Sequence, residues 1–485
     1  MKITFPDDFS DRLSPMLVKE LRQGLRTKAF IGVFLALQII LGVILLGAVS
    51  VSSSDQAGDT ISNIIFIFFS IAVMVIQPMR GMGALSTEIK DNTIDMMVLT
   101  RLSAWRIVAG KWSAIVSQSA LILVTIIPYL ILRYFFGGMN LIGEVVMLFL
   151  IFITSAALTA ITVGLSASTS VILRSILPLI GIPLGTYTLF FAVFAYSSMG
   201  GGGGSLVDFC SLETADSRIG VSIYIAACIY YSFFMISIGT SLIAPYAENY
   251  STLRRIISLL VTVAAAIIGS IYVNDIKIMI ATYFAIFAPI FTISLTEFGA
   301  IVPPVIAKFN RYGFIGKLLG LFLLPTWATG VFFCSILTLI AAISMFFIPH
   351  TYYGADVWIV ALGMISSMIF PAILVNIFKN NGPARVSNYI LITVATGIVS
   401  LTLLGVAESL SSKGILWLFV WLPPVSMIMS DSGGLDEEMV LAATAAFNVI
   451  YFVIFTLMAI RNLRQSINEL NHSGSEQDPE NRARG

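Results

Sequence analysis

Long apolar runs, almost free of charge, alternate along this chain with short polar gaps. They fall at about 30–51, 61–79, 112–132, 145–167, 175–197, 221–246, 256–273, 278–296, 318–348, 357–378, 387–407 and 439–460. Nearly all reach the roughly 20 residues that a helix needs to cross a bilayer core. The pattern predicts an all-α polytopic membrane protein with about twelve transmembrane helices, readable as two tandem six-helix units, 1–250 and 251–465. Polar residues within the runs are neutral, such as Gln38, Asn63, Gln77, Gln118, Asn376 and Asn448. Groups of this kind hold helices together more often than they bind a substrate. Prolines at 128, 178, 183, 289 and 371 mark places where spans can kink.

Charge gives this string a topology. With the gaps counted from the N-terminus, odd gaps hold 23 of the 27 Lys and Arg residues, whereas even gaps hold only Arg133, Arg218, Lys277 and Lys413. Asp and Glu divide 13 against 13, as expected where cations alone set orientation. The bias predicts both termini in the cytoplasm. A chain with 58% hydrophobic and 11% charged residues is excluded from the soluble globular class, which carries about 25% charge. With a net charge of +1 and no basic patch away from the membrane margins, no nucleic-acid partner is expected. Cys210, Cys228 and Cys334 suggest no disulfide framework, and the two inside runs read as small packing residues. The first run starts at Phe30, is span-length and lacks a small-residue cleavage site, so no cleavable leader is expected.

Three gaps carry local structure. Ser14-Pro15 reads as a helix start with proline at the first helical position. Leu17, Leu21 and Leu25 follow at four-residue spacing among Lys19, Arg22, Arg26 and Lys28, which predicts an interfacial amphipathic helix. In the gap 80–111, Glu88, Lys90, Asp91 and Asp95 precede the apolar run Met96 to Leu99, and Ser103 is placed to cap the next helix. This predicts helix, turn and helix standing out of the membrane, with a Met-rich face that has to pack on something and for which a separate protein is the natural candidate. The stretch 415–429 holds Trp417, Trp421 and Pro423-Pro424 and is short for a span, so a re-entrant or interfacial element is expected. Five glycines at 200–204 suit a flexible connector, and 466–485 reads as a disordered tail.

Catalytic chemistry is missing from the pattern. No ionisable side chain lies in the middle of a run, where ion-coupled carriers usually need one. Gly110-Lys111 and Gly316-Lys317 lack the upstream glycine and following hydroxyl of a phosphate-binding loop. The chain itself is therefore not expected to be an enzyme, and no catalytic, cofactor or metal residue is nominated.

The segment STEIKDNTIDMMVLTRLSAWRIVAGKW (86–112), preceded by PMLVKELRQGLRTKAF (15–30), resembles the permease subunits of type-2 ATP-binding-cassette (ABC) exporters. That family opens with a similar basic amphipathic helix, here carrying Leu17, Glu20, Leu21 and Leu25. It continues after span 2 with an acidic residue, a Thr, a Leu-rich turn and a Gly-Lys leading into span 3. The matching positions are Glu88, Thr93, Leu99, Thr100, Leu102, Ile107, Gly110 and Lys111, with Arg101 where the family often has Pro. The resemblance spans about 15–250. It implies a coupling helix that docks on a separate ATPase dimer through Glu88, Thr93, Met97, Leu99, Thr100, Arg101, Leu102, Gly110 and Lys111, with ATP and Mg held by that subunit. The second half repeats the layout: 297–317 sits where 80–111 sits, and 415–429 lies where the family has a short re-entrant outer pair. The implied protein is an exporter subunit of a bacterial inner membrane, with an unidentified substrate and room for a second permease copy or a homologous subunit as partner. A secondary transporter with 6+6 helices, which would need buried ionisable groups, and a non-transporting assembly or scaffold protein share the span count.

Overall fold

The structure is a computed structural model that describes residues 15–51, 57–91, 103–135, 140–187, 207, 210–244, 249–273, 275–298, 313–347, 354–378, 382, 384–410, 413–431 and 436–476. Every regular element among them is helical. Among the described residues, eleven helices are long and apolar enough to cross a membrane. Chain contacts divide the protein into two compact units, Met1–Ala244 and Pro245–Gly485.

Unit 1 opens with α1 (Pro15–Leu25), starting at the expected proline, and α2 (Lys28–Val51). Next, α3 (Ala57–Ser70) runs on through a π turn (Ile71–Ile76), Gln77–Arg80, a 3-10 turn (Gly81–Gly83) and Ser86–Lys90. Then come α4 (Ala104–Tyr134), α5 (Leu141–Ser166), the shorter α6 (Ile172–Tyr187) and α7 (Ala215–Ile243). Lipid tails are as apolar as leucine, so spans associate through close packing and internal hydrogen bonds rather than by escape from water. The centre of the unit is accordingly α5, which packs on α7, α4 and the later part of α3. At Gly164 a Cβ would stand 2.2 Å from the Met235 carbonyl oxygen of α7, so only glycine permits that crossing. Large apolar side chains such as Ile39, Val43 and Leu46 on α2 and Val124 and Ile131 on α4 are exposed, as suits helices that face lipid.

Unit 2 contains α8 (Ser251–Tyr272), α9 (Ile276–Thr296), the short α10 (Gly313–Leu323), α11 (Trp327–Met345), α12 (Ala355–Ile377) and α13 (Ala384–Ser409). It ends with a 3-10 helix (Lys413–Phe419), α14 (Pro423–Asp431) and α15 (Glu437–Glu476). Its tightest crossing is again made by a glycine: a Cβ on Gly330 of α11 would meet the Ser294 carbonyl oxygen of α9 at 2.0 Å.

Four expectations need amendment. The segment 466–476, expected to belong to a disordered tail, continues α15 as helix. The run 318–348 is not one helix. The chain breaks at 324–326, where Pro325 removes a helix donor, and the Thr326 side chain accepts from Thr329 N to start α11. The fifth run, expected at 175–197, appears as α6 ending at Tyr187, and 188–197 lie outside the described residues. Ser103 does occupy the N-cap position of α4, with φ −67 and ψ 145, but its hydroxyl makes no cap bond. Pro128, Pro289 and Pro371 sit inside continuous helices. The stretch 415–429 is covered by the 3-10 helix and α14, neither long enough to span, both packed against α13.

Candidate functional site

Two of the residues nominated from sequence, Glu20 and Glu88, meet at a third, Lys111. Lys111 lies in the second turn of α4 and is 6% exposed. Its ammonium reaches Glu88 Oε1 at 2.8 Å and Glu20 Oε1 at 3.2 Å. A cation this deeply buried is costly unless paired. Here it gathers α1, the end of α3 and the start of α4, so both flanks of 92–102 and the amphipathic helix share one ionic tie. Two carboxylates against one ammonium leave the cluster with a formal charge of −1.

Apolar packing supports the same junction. Leu85, Ile107, Val108, Ala160, Val163 and Ile236 form a buried cluster across α3, α4, α5 and α7. The Leu85 backbone N–H donates to Ser166 Oγ at 3.2 Å, which fixes the end of α3 on α5. Trp112 donates its indole N–H to the Ala156 carbonyl at 2.9 Å, and Gly110 is buried beside it. On α1, Leu17, Glu20, Leu21 and Leu25 are half-buried, while Lys19, Arg22 and Arg26 face outward, which realises the amphipathic pattern. Leu25 packs on the cluster built around Phe30, Leu37 and Phe69.

A second cation, Arg80, completes the fastening. Its guanidinium donates to Gln77 Oε1 at 3.0 Å, to Gln118 Oε1, to Thr27 Oγ1 at 3.0 Å and to the Gly24 carbonyl at 3.3 Å. It also stands 5.7 Å from the centre of the Phe30 ring. The α1–α2 turn, α3 and α4 are thus held by one side chain. Sequence reasoning counted Arg80 only as a topology marker. Its four partners lie up to 56 residues away, and no local motif announces them. Gln118, and likewise Gln38, which bonds Thr125 at 2.9 Å and Tyr129 at 2.8 Å, do act as interhelical ties.

Of the nominated coupling residues, the structure brings together Glu88, Gly110 and Lys111. Thr93, Met97, Leu99, Thr100, Arg101 and Leu102 lie outside the described residues.

The ends of the spans hold further pairs. Arg133 and Glu144, the last turn of α4 and the first of α5, are both buried, 3.5 Å apart, with Ser62 of α3 bonded to each. In unit 2, Arg255 is fully buried and pairs with Glu297 just past α9. It donates also to the Phe322 carbonyl at 2.7 Å, the Thr326 carbonyl at 3.0 Å and Thr329 Oγ1 at 2.9 Å. Lys277 meets Asp356 at 3.2 Å in an exposed pair. Arg133 and Lys277 are two of the four cations that break the charge alternation, and each is matched by a carboxylate.

No family model, curated protein or solved structure matches the chain. The fold therefore defines the class by itself: a polytopic, multi-pass helical membrane protein.

Proposed function

We propose that this chain is the membrane-spanning subunit of an ABC exporter, driven by a separate ATPase dimer that docks on 92–102. The observation that carries this reading is the Glu20–Lys111–Glu88 tie. A segment fastened at both flanks to one buried lysine delivers any displacement to α1, α3 and α4 together, as rigid-body coupling requires. An ordinary surface connector has no need of such an anchor. Energy comes from ATP and Mg in the partner, and cargo passes across a bacterial inner membrane with both termini cytoplasmic.

The test is co-purification with a cassette ATPase encoded beside the gene, combined with ATPase stimulation in nanodiscs. Met97→Asp with Leu99→Asp should abolish association, because a charge in an apolar docking groove costs several kcal/mol as a rough scale. Lys111→Met should keep association but lower stimulation at least tenfold, because docking survives while the tie is cut. Absence of association in the wild type would remove the reading and leave the secondary transporter or the scaffold.

A further inference from the structure

Unit 2 contains a cavity of about 500 Å³ between α13 and the 3-10/α14 element, within the range of small-molecule sites. Its walls come from Gly397, Ser400, Leu401, Leu404, Ala407 and Glu408 on α13, and from Leu416, Pro424, Met427 and Ile428 opposite. The α13 residues recur at helical spacing, so they make one stripe along the helix. From Gly397 to Glu408 that stripe is about 16 Å long at 1.5 Å per residue. The cavity is therefore a slot rather than a bowl, with a shape that suits an extended chain.

Its chemistry is lopsided. The walls are apolar almost throughout, and the Ser400 hydroxyl is already spent on the Thr396 carbonyl at 2.8 Å. Glu408 is the one charged residue lining the slot, is exposed, and has no ion pair among the described residues. It lies at the very end of α13, while Trp417 and Trp421 on the facing element are of the type that settles at headgroup depth. The polar end of the slot is thus at a membrane margin and its apolar length runs inward. Behind it, Ala407, Leu416, Val425 and Met429 belong to a packed cluster. The floor is fixed too: a Cβ on Gly363 of α12 would stand 2.4 Å from Met427 Cγ, so α14 is seated closely on α12.

We propose that this slot binds an amphiphile with one alkyl chain and a cationic head, the chain lying along α13 and the ammonium on the Glu408 carboxylate. A fatty acid or a phosphate-headed lipid would set like charge against Glu408, which selects against the anionic amphiphiles of the same shape. This site is independent of the exporter reading and stands or falls without it.

The test uses the full chain in nanodiscs of phosphatidylcholine and measures quenching by octadecylamine brominated at mid-chain, against octadecanoate brominated at the same carbons. The signal from Trp417 and Trp421 is taken as the difference between the wild type and the Trp417→Phe/Trp421→Phe variant. The amine should reach half-quenching at a mole fraction at least tenfold below that of the carboxylate. Glu408→Gln should bring the two to parity, and Glu408→Lys should reverse the preference. Gly397→Phe should abolish the amine signal. No heavy atom lies within 4 Å of a Cβ at Gly397, so the ring enters the slot without displacing the fold. If that variant does not insert, Leu404→Phe fills the same slot from the next turns of α13. Equal half-quenching by amine and carboxylate in the wild type would show a groove filled by bulk lipid and overturn the proposal. An amine preference that survives Glu408→Gln, or full quenching with the slot filled, would overturn it as well.

Discussion

The two units differ in how they secure the carboxylate that leaves their second crossing. In unit 1, Glu88 follows α3 and is held by Lys111, an ammonium shared with Glu20 and contributed by the next crossing. In unit 2, Glu297 follows α9 and is held by Arg255 from the preceding crossing, whose guanidinium also serves three acceptors on and before α11. Lysine is a compact point charge on a flexible stem, and arginine is a planar fork that fixes several acceptors at once. The first arrangement is a tie that can be redistributed between two acids; the second is a rigid brace.

The sharpest break of that comparison is Arg255→Ala. It removes one donor at once from Glu297, which keeps Ser251, from the Phe322 and Thr326 carbonyls and from Thr329. Removing one member of a buried pair costs about 3–5 kcal/mol. The denaturation midpoint in mixed micelles should fall furthest here, and Arg255→Lys should recover less than half the loss, because one ammonium cannot reach all four acceptors. A full rescue by lysine would end the distinction between brace and tie.

Arg133→Met in unit 1 ranks next. Both partners are buried, but the Arg133–Glu144 contact is longer, at 3.5 Å, and Ser62 remains to serve the carboxylate. We expect about 2–4 kcal/mol, largely regained in Arg133→Met with Glu144→Leu, since a buried pair replaced whole by apolar groups is often neutral. Failure of the double variant to regain stability would mean that the pair has a role beyond neutralising itself.

The tie at Lys111 should be milder, because Glu88 and Glu20 keep 15% and 19% of their side-chain surface exposed. Glu88→Gln should cost about 1.5–3 kcal/mol, the scale of one hydrogen bond to a charged group. Glu20→Gln should cost less, in line with its longer contact. The two losses should not add, because either acid can take the whole ammonium. Additive losses in a double-mutant cycle would show two separate bonds instead of one shared charge.

Much of this architecture is legible in the sequence, because span length and apolar character act over windows of about 20 residues and need no partner to be known. The amphipathic helix is legible for the same reason: Leu17, Leu21 and Leu25 face one way at a fixed period. Ties across the bundle are less so. Glu88 and Lys111 are conspicuous as charges at span margins, but nothing local pairs them, and Glu20 is 91 residues from Lys111. Arg255 was readable as an orienting charge and not as a brace, since its acceptors, two backbone carbonyls, Thr329 and Glu297, lie 42 to 74 residues further along the chain. The break at Pro325 escaped the hydropathy pattern because Leu324-Pro325-Thr326 is apolar enough to join its neighbours. Proline geometry, not polarity, ends that helix.

The smallest effect should come from Lys277→Ala. Its pair with Asp356 has a geometry as good as that of Lys111 with Glu20, at 3.2 Å, yet Lys277 is 66% exposed and Asp356 33%. Water and ions screen such a pair, and holding two side chains in one geometry offsets what attraction remains, so the expected loss is about 0–1 kcal/mol. The contrast isolates burial as the controlling variable, since distance and residue types are nearly the same in the two cases. The loss at Lys277 should shrink further in high salt, whereas that at Arg255 should not, because a buried pair is screened much less. Equal losses at Lys277 and Lys111, with the same salt dependence, would show that the tie in unit 1 is an ordinary surface pair and would remove the anchor on which the proposed coupling role of 92–102 rests.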